Sequence, residues 1–300
     1  MSDPKRVVVA APAKLNFCLH VGTRRTDGYH GLESLVAFAA MGDLIALEAS
    51  ECFSLSVDGA FAGSLDSGDD NLALRAARLL AASTNTDRGA QIRLTKNLPV
   101  ASGLGGGSAD AAAVLRGLVR LWSLDTPRSA LRELAASLGA DVPVCIESAP
   151  AWMEGKGERI TLLPPLPPLH LLLVNPGTAV ATQAVFATLR ERRGLGLARP
   201  DSAFADATAF LQFLQTTGND LEEPARAISP DVGNVLDALM EQQGVLLTRM
   251  SGSGATCFGI FETAAELASA ASHISAHHPE WWVKETMLAP EIKAAPAFVQ

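Results

Sequence analysis

Positive charge is what this chain most conspicuously lacks. Its 24 Lys and Arg are outnumbered by 32 Asp and Glu, for a net charge of −8 over 300 residues. Such a balance gives no electrostatic footprint for a nucleic-acid backbone or an anionic membrane surface, so neither is expected as a partner. An anionic small-molecule substrate would then need a local site. No apolar run is long enough to span a bilayer, and the opening Met-Ser-Asp-Pro-Lys-Arg-Val-Val-Val lacks the apolar stretch of a signal peptide. A cytoplasmic protein is expected. Cysteine is sparse too: Cys18, Cys52, Cys145 and Cys257 form no CxxC, and a chain of this length needs no disulfide staples, so reduced core thiols are expected. His273 and His277 stand at i,i+4 with His278 beside them, but no HExxH accompanies them and the segment is a polar helix end, so no metal site is assigned.

What is present, 48% hydrophobic and 19% charged residues without runs of like charge, describes a globular chain. Its length suggests two domains of about 150 residues each. The sharpest break in composition is Leu162-Leu163-Pro164-Pro165-Leu166-Pro167-Pro168, whose prolines forbid a helix. Placing the boundary there gives domains at 1–163 and 169–300, although the same segment also reads as an ordinary Pro-rich loop. Before it, Leu15, Phe17, Leu19 and Val21 alternate with Lys14, Asn16, Cys18 and His20, a period-two strand that puts Lys14 and Asn16 on one face. Strands are also expected at 44–48, 53–57 and 90–94, and a helix at 71–82. Beyond the break, strands at 169–174, 245–247 and 257–261 alternate with helices at 182–193, 230–243 and 264–274. The overall class is α+β.

The most informative segment runs Leu98-Pro99-Val100-Ala101-Ser102-Gly103-Leu104-Gly105-Gly106-Gly107-Ser108-Ala109-Asp110. Glycines let a backbone approach a ligand closely. The apolar positions Ala111, Val114, Leu115, Leu118 and Trp122 then mark a helix, with Ser108 as its expected N-cap. A glycine loop opening a helix presents unpaired N–H groups and the positive dipole end to a phosphate, which makes ATP the natural ligand. It is not a Walker loop, because no lysine stands between Gly107 and Ser108. It is not a dinucleotide fingerprint either, because Ser108 occupies the third glycine's place. A second cluster, Met250-Ser251-Gly252-Ser253-Gly254-Ala255-Thr256, taken alone reads equally as a tight turn.

Together, Pro12-Ala13-Lys14-Leu15-Asn16, the loop from Pro99 to Ala109 and Gly252-Ser253-Gly254-Ala255-Thr256 resemble the three motifs of the GHMP kinases, in that family's order. Arg25-Thr26-Asp27-Gly28-Tyr29-His30, Gly139-Ala140-Asp141-Val142-Pro143 and Gly218-Asn219-Asp220-Leu221-Glu222 resemble the branch whose acceptor carries a cytidine, in the non-mevalonate isoprenoid pathway. The resemblance implies a two-domain GHMP kinase fold, with a ribosomal-protein-S5-like N-terminal domain, a ferredoxin-like C-terminal domain and the active site between them. It implies transfer of phosphate from ATP to a 2-hydroxyl of the acceptor. It assigns nucleotide binding to Pro99, Val100, Ala101, Ser102, Gly103, Leu104, Gly105, Gly106, Gly107, Ser108 and Ala109. Catalysis falls to Lys14 and Asp141, and acceptor binding to Asn16, Tyr29 and His30.

Phosphoryl transfer needs charge stabilisation and a group that takes the nucleophile's proton. Asp141, expected on a turn after a helix from Thr126-Pro127 to Gly139, is the candidate base, and Lys14 would keep it ionised, with Asn16 as a hydrogen-bond partner. Magnesium is expected as the counter-charge of the ATP phosphates, with no carboxylate assigned to it. Bland readings stand beside these: Lys14 as a surface lysine, Asp141 as a capping residue, Tyr29-His30 as a packed turn. Competing functions are another small-molecule kinase of the same family, for homoserine or a sugar, and a nucleotide-binding protein that performs no transfer. Gly31, after His30, departs from the polar residue that family members often carry there.

Overall fold

A computed structural model of the chain describes residues 6–24, 28, 30–65, 68–189 and 194–289. Val7, Val9, Ala11, Ala13 and Leu15 alternate inward along β1 (Arg6–Asn16), all buried. β1 is followed by β2 (His20–Arg24) and by β3 (His30–Ser50), long enough to serve as the hub of the first sheet. β3 pairs antiparallel with β1, β2, β5 (Gly89–Thr95) and β6 (Ala151–Gly155). β4 (Ser54–Asp58) runs parallel beside β5, and β7 (Arg159–Leu162) closes the far edge against β6. Two helices pack on this sheet. α1 (Leu72–Thr84) is capped by the Asn71 side chain, which accepts from Ala73 N at 2.9 Å, and ends on Asn85 in the left-handed conformation. α2 (Gly106–Leu121) buries its small apolar face, Ala109 to Leu118, in the same core. α3 (Arg128–Ala136) and the short α4 (Val142–Glu147) follow.

The Pro-rich segment leads from β7 to the first strand of a second sheet, ordered β11-β8-β10-β9, with β8 at His170–Asn175, β9 at Val245–Met250, β10 at Cys257–Phe261 and β11 at Trp282–Met287. Helices α5 (Thr182–Thr188), α6 (Ala207–Gln215), α7 (Glu222–Ile228), α8 (Pro230–Met240) and α9 (Ala264–His277) surround it. α9 opens with a capping box between Thr263 and Glu266. A further apolar cluster lies between the sheets, where Phe17 meets Phe210 at 5.5 Å and Phe258 at 5.2 Å. No described helix is long and apolar enough to cross a membrane. The architecture is α+β.

Several expectations need correction. The strand through Lys14 to Val21 breaks after Asn16, because Phe17 N turns to Leu35 O while Leu19 N reaches across to Gly218 O. The N-cap of α2 is Gly105 at φ 63°, not Ser108, which sits inside the first turn. Asp141 does lie on a turn after a helix, but that helix, α3, ends at Ala136 rather than Gly139, and Asp141 is also the residue from which α4 starts. Cys18, Cys145 and Cys257 are buried free thiols, whereas Cys52 is exposed. The helix expected at 182–193 is α5, ending at Thr188, and residues 190–193 lie outside the described residues.

Candidate active site

The glycine loop hangs between β5 and α2, and its shape follows from what each glycine touches. A Cβ on Gly103, at φ 79°, would stand 2.2 Å from Ser251 O, so only glycine lets the loop meet the second glycine cluster. At Gly105 a Cβ would press on the Lys14 Cε at 3.2 Å, and at Gly106 on the Lys96 Nζ at 2.9 Å. Gly107 differs, being exposed, with Leu72 Cδ1 at 3.6 Å as the nearest atom a Cβ would meet. The first intrahelical bond of α2 runs from Ala109 N to Gly105 O at 2.9 Å. Helix geometry therefore leaves the N–H groups of Gly106, Gly107 and Ser108 without an intrahelical acceptor, a ready anion cradle.

Lys96 anchors this loop from below. Its ammonium, 2% exposed, donates to Asp43 Oδ2 at 2.5 Å and to Asp110 Oδ2 at 2.8 Å. Asp43 Oδ1 accepts from Asn97 N at 2.6 Å and Leu98 N at 2.9 Å, so one carboxylate holds the loop's entry while Asp110 holds the first turns of α2. Burial works to lower the Lys96 pKa, but the charges of Asp110 and Asp43 outweigh it and raise it. Burial pushes Asp110 up to about 7, with Asp43 adding to the rise and Lys96 opposing it. The sequence held no signal for this triad beyond three ordinary charged residues.

Beside the loop, β1 delivers Lys14 and α4 delivers Asp141. Lys14 N donates to Leu104 O at 2.9 Å, pinning the strand to the glycine loop. The Lys14 ammonium, almost fully buried, lies 2.9 Å from Asp141 Oδ2 and donates to Asn16 Oδ1 at 3.1 Å. Lys14 is thus no surface lysine. Asp141 stands at an N-cap position, yet its side chain makes no capping bond, and 38% of that side chain stays exposed. A carboxylate paired with an ammonium on one side and open on the other can accept a proton from a bound hydroxyl. Asn16 is spoken for: its Nδ2 donates to Ser34 Oγ at 2.8 Å and its backbone N to Ser251 Oγ at 3.2 Å.

That serine ties the second glycine cluster to the first, because Ser251 Oγ donates to Gly103 O at 3.0 Å and Thr256 N donates to Ser102 O at 3.0 Å. The cluster is therefore more than a turn. Gly218 to Glu222 acts as a staple around it. Asn219 Nδ2 donates to Met250 O and Gly252 O, both at 2.8 Å, Glu222 Oε2 accepts from Met250 N, and Asp220 Oδ2 accepts from Val21 N at 2.8 Å on the first sheet.

His30, expected in acceptor binding, has its Nδ1 3.1 Å from Gly22 O, and its ring stacks on Phe186 with centroids 5.5 Å apart. Phe186, on α5, carried no sequence signal, since a lone phenylalanine in a helix reads as core. Tyr29 and the Arg25 to Asp27 part of its block lie outside the described residues. A Cβ on Gly31 would meet only Leu195 Cδ1, at 3.1 Å, the end of an exposed side chain that can shift aside.

Comparison with known proteins follows the same lines. The model of the GHMP kinases N terminal domain matches residues 71–148, and that of GHMP kinases C terminal matches residues 201–280. A 4-diphosphocytidyl-2-C-methyl-D-erythritol kinase of Paramagnetospirillum magneticum is 48% identical over 282 residues, 93% of this chain and 98% of that protein. Its counterpart from Ruegeria pomeroyi is 50% identical over 276 residues, 91% of this chain and 95% of that protein. Among solved structures, a 4-(cytidine 5'-diphospho)-2C-methyl-D-erythritol kinase matches with a TM-score of 0.75 at 33% identity, over 94% of this chain and 100% of that one.

Proposed function

Because the chain belongs to the GHMP kinase family, we propose that it transfers the γ-phosphoryl group of ATP to the 2-hydroxyl of 4-diphosphocytidyl-2-C-methyl-D-erythritol. The observation that carries the mechanism is the Lys14–Asp141 pair, 2.9 Å apart, with Lys14 packed against Gly105, the N-cap of α2. In this reading the free N–H groups of Gly106, Gly107 and Ser108 hold the phosphates of ATP. The acceptor oxygen attacks the γ-phosphorus, the bond from that phosphorus to the β,γ-bridging oxygen breaks, ADP leaves, and the hydroxyl proton passes to Asp141. Lys14 holds the Asp141 carboxylate through their 2.9 Å ion pair and offsets negative charge during transfer. His30 and Phe186 offer a flat, partly apolar surface for the pyrimidine, with Tyr29 as the adjoining ring from the sequence motif.

Magnesium would enter with the nucleotide. The exposed oxygen of Asp141 is a hard donor of the kind Mg²⁺ takes, and among the described residues no three His, Cys, Asp or Glu side chains cluster. A cation there would be shared between protein and phosphates rather than caged, and would supply counter-charge to the transferring group.

The test is a coupled ADP-release assay with the cytidyl alcohol, homoserine and galactose as acceptors, run on the wild type and on Asp141→Asn. The cytidyl alcohol alone should support turnover, and Asp141→Asn should lower kcat by ~10²–10⁴ with ATP still bound. Wild-type kcat in the variant removes Asp141 from the mechanism, and turnover with another acceptor reassigns the substrate.

A further inference from the structure

Lys14 and Asp141 come from different elements, and something must fix the gap between them. Resting on the reading of these two as the working pair, we infer that Arg116 is a positioning residue that sets their relative placement. Arg116 projects from α2, and its one guanidinium grips both carriers. On one side Nη2 donates to Ala10 O at 2.9 Å, on β1 upstream of Lys14. On the other, Nη1 donates to Cys145 O and, at 3.2 Å, to Ser148 Oγ, at the end of α4 opposite Asp141. Ser148 Oγ in turn donates to Cys145 O at 2.8 Å, and Ser148, at φ 48°, is the C-cap of α4.

α4 spans only Val142–Glu147, so it behaves as a stub of about 9 Å whose two ends cannot move independently. Gripping its C-terminal carbonyl therefore also fixes its N-cap, Asp141. A cation at the C-terminal end suits the helix dipole as well. The planar fork matters because its two nitrogens serve two elements at once, which the single nitrogen of a lysine cannot do. Burial lowers the Arg116 pKa to about 10, which leaves the fork charged at neutral pH. Misplacing a reacting group by about 1 Å costs on the order of a hundredfold in rate, so a loose α4 should show in turnover before it shows in binding.

Arg116→Met keeps the apolar bulk and removes the fork, and Arg116→Lys keeps the charge. Both are assayed at 10 °C and 25 °C with ATP and the cytidyl alcohol, alone and combined with Asp141→Asn. The expected result for Arg116→Met is a kcat lower by roughly ten- to a hundredfold, with both KM values within about twofold of wild type. Arg116→Lys should recover part of that loss. In the Asp141→Asn background Arg116→Met should cost clearly less than it does alone, because the part of its effect that acts through Asp141 is gone and only the placement of Lys14 is left to lose. Wild-type kcat in Arg116→Met overturns the proposal, as does a loss that adds fully to that of Asp141→Asn. So does a loss that vanishes at 10 °C as the folded fraction recovers, and so does failure of both variants to fold at 10 °C, which would assign Arg116 to stability alone. Wild-type kcat in Asp141→Asn by itself is a different outcome: it defeats the reading of the catalytic pair and Arg116's role with it, whereas a slow Asp141→Asn beside a fast Arg116→Met defeats the positioning alone.

Discussion

Asp110 meets its ammonium partner with one oxygen only, and its Oδ1 is buried without a hydrogen-bond partner among the described residues. That arrangement favours the neutral acid, which is why burial lifts its pKa from 3.8 to about 7. The consequence for stability has a definite sign. Between pH 4 and 7, roughly, the native state keeps a proton that the unfolded chain gives up, so this group's contribution is full in acid and falls as pH rises through about 7. Lys96 acts in the opposite part of the scale: its raised pKa contributes stability below its ordinary value of 10.5 that is lost only above it. Asp110→Asn removes the first slope and leaves Lys96 its bond to Asp43. Comparing thermal unfolding of wild type and variant at pH 5 and pH 8, the variant should gain on the wild type at the higher pH, by up to a few kcal/mol. A difference that stays flat across that range would show that Asp110 is ionised in the native protein throughout.

The glycine loop and α2 form one element in which four glycines answer to different constraints. Gly103, Gly105 and Gly106 are hemmed in by Ser251, Lys14 and Lys96, so replacing any of them disturbs the protein itself. Gly107 sits in helical backbone with room for a methyl group, so nothing in the fold demands glycine there. Gly107→Ala should leave the melting temperature unchanged or slightly higher, since alanine is the better helix former by about 0.5–1 kcal/mol. It should nevertheless raise the KM for ATP by roughly tenfold, if phosphate takes the space. An unchanged ATP KM in the folded variant would move the nucleotide elsewhere. This element also shows what sequence can carry. The loop, the helix behind it and the alternation at Lys14 and Asn16 were legible because each is written in consecutive residues. The helix start was misread because capping preference points to Ser108, whereas left-handed backbone at Gly105 decides it. Lys96, Asp43 and Asp110 were not legible at all, because their meeting depends on the pairing of β3 with β5, and no local pattern encodes that pairing.

Across the whole molecule, the second half brings Ser251 against Asn16 and the glycine loop, and Phe186 against His30, so the site depends on how the two sheets are held together. Phe17 is the residue where that dependence concentrates. It follows Asn16 directly, its ring packs on Phe210 of α6 and Phe258 of β10, and its carbonyl accepts from Arg249 of β9 at 2.5 Å. The same guanidinium donates to Leu214 O at 3.0 Å and Thr217 O at 3.1 Å, fastening the segment behind α6. The alternating pattern marked Phe17 as an inward residue, but not that the interior it enters belongs to both sheets. Phe17→Ala should cost about 3–5 kcal/mol, as deletion of a buried phenyl ring does. Since the ring serves both halves, the loss should appear as one shifted urea transition, seen equally by Trp122 and Trp152 near the first sheet and by Trp281 and Trp282 near the second. Single-tryptophan variants separate these probes. Should the Phe17→Ala transition split, with one pair of tryptophans unfolding at the wild-type midpoint, the two halves would be independent units and the shared core would not be what aligns the site. A single displaced transition with kcat lowered in the fraction that remains folded would make the apolar contact between the sheets part of how Lys14, Asp141 and the glycine loops are kept in register.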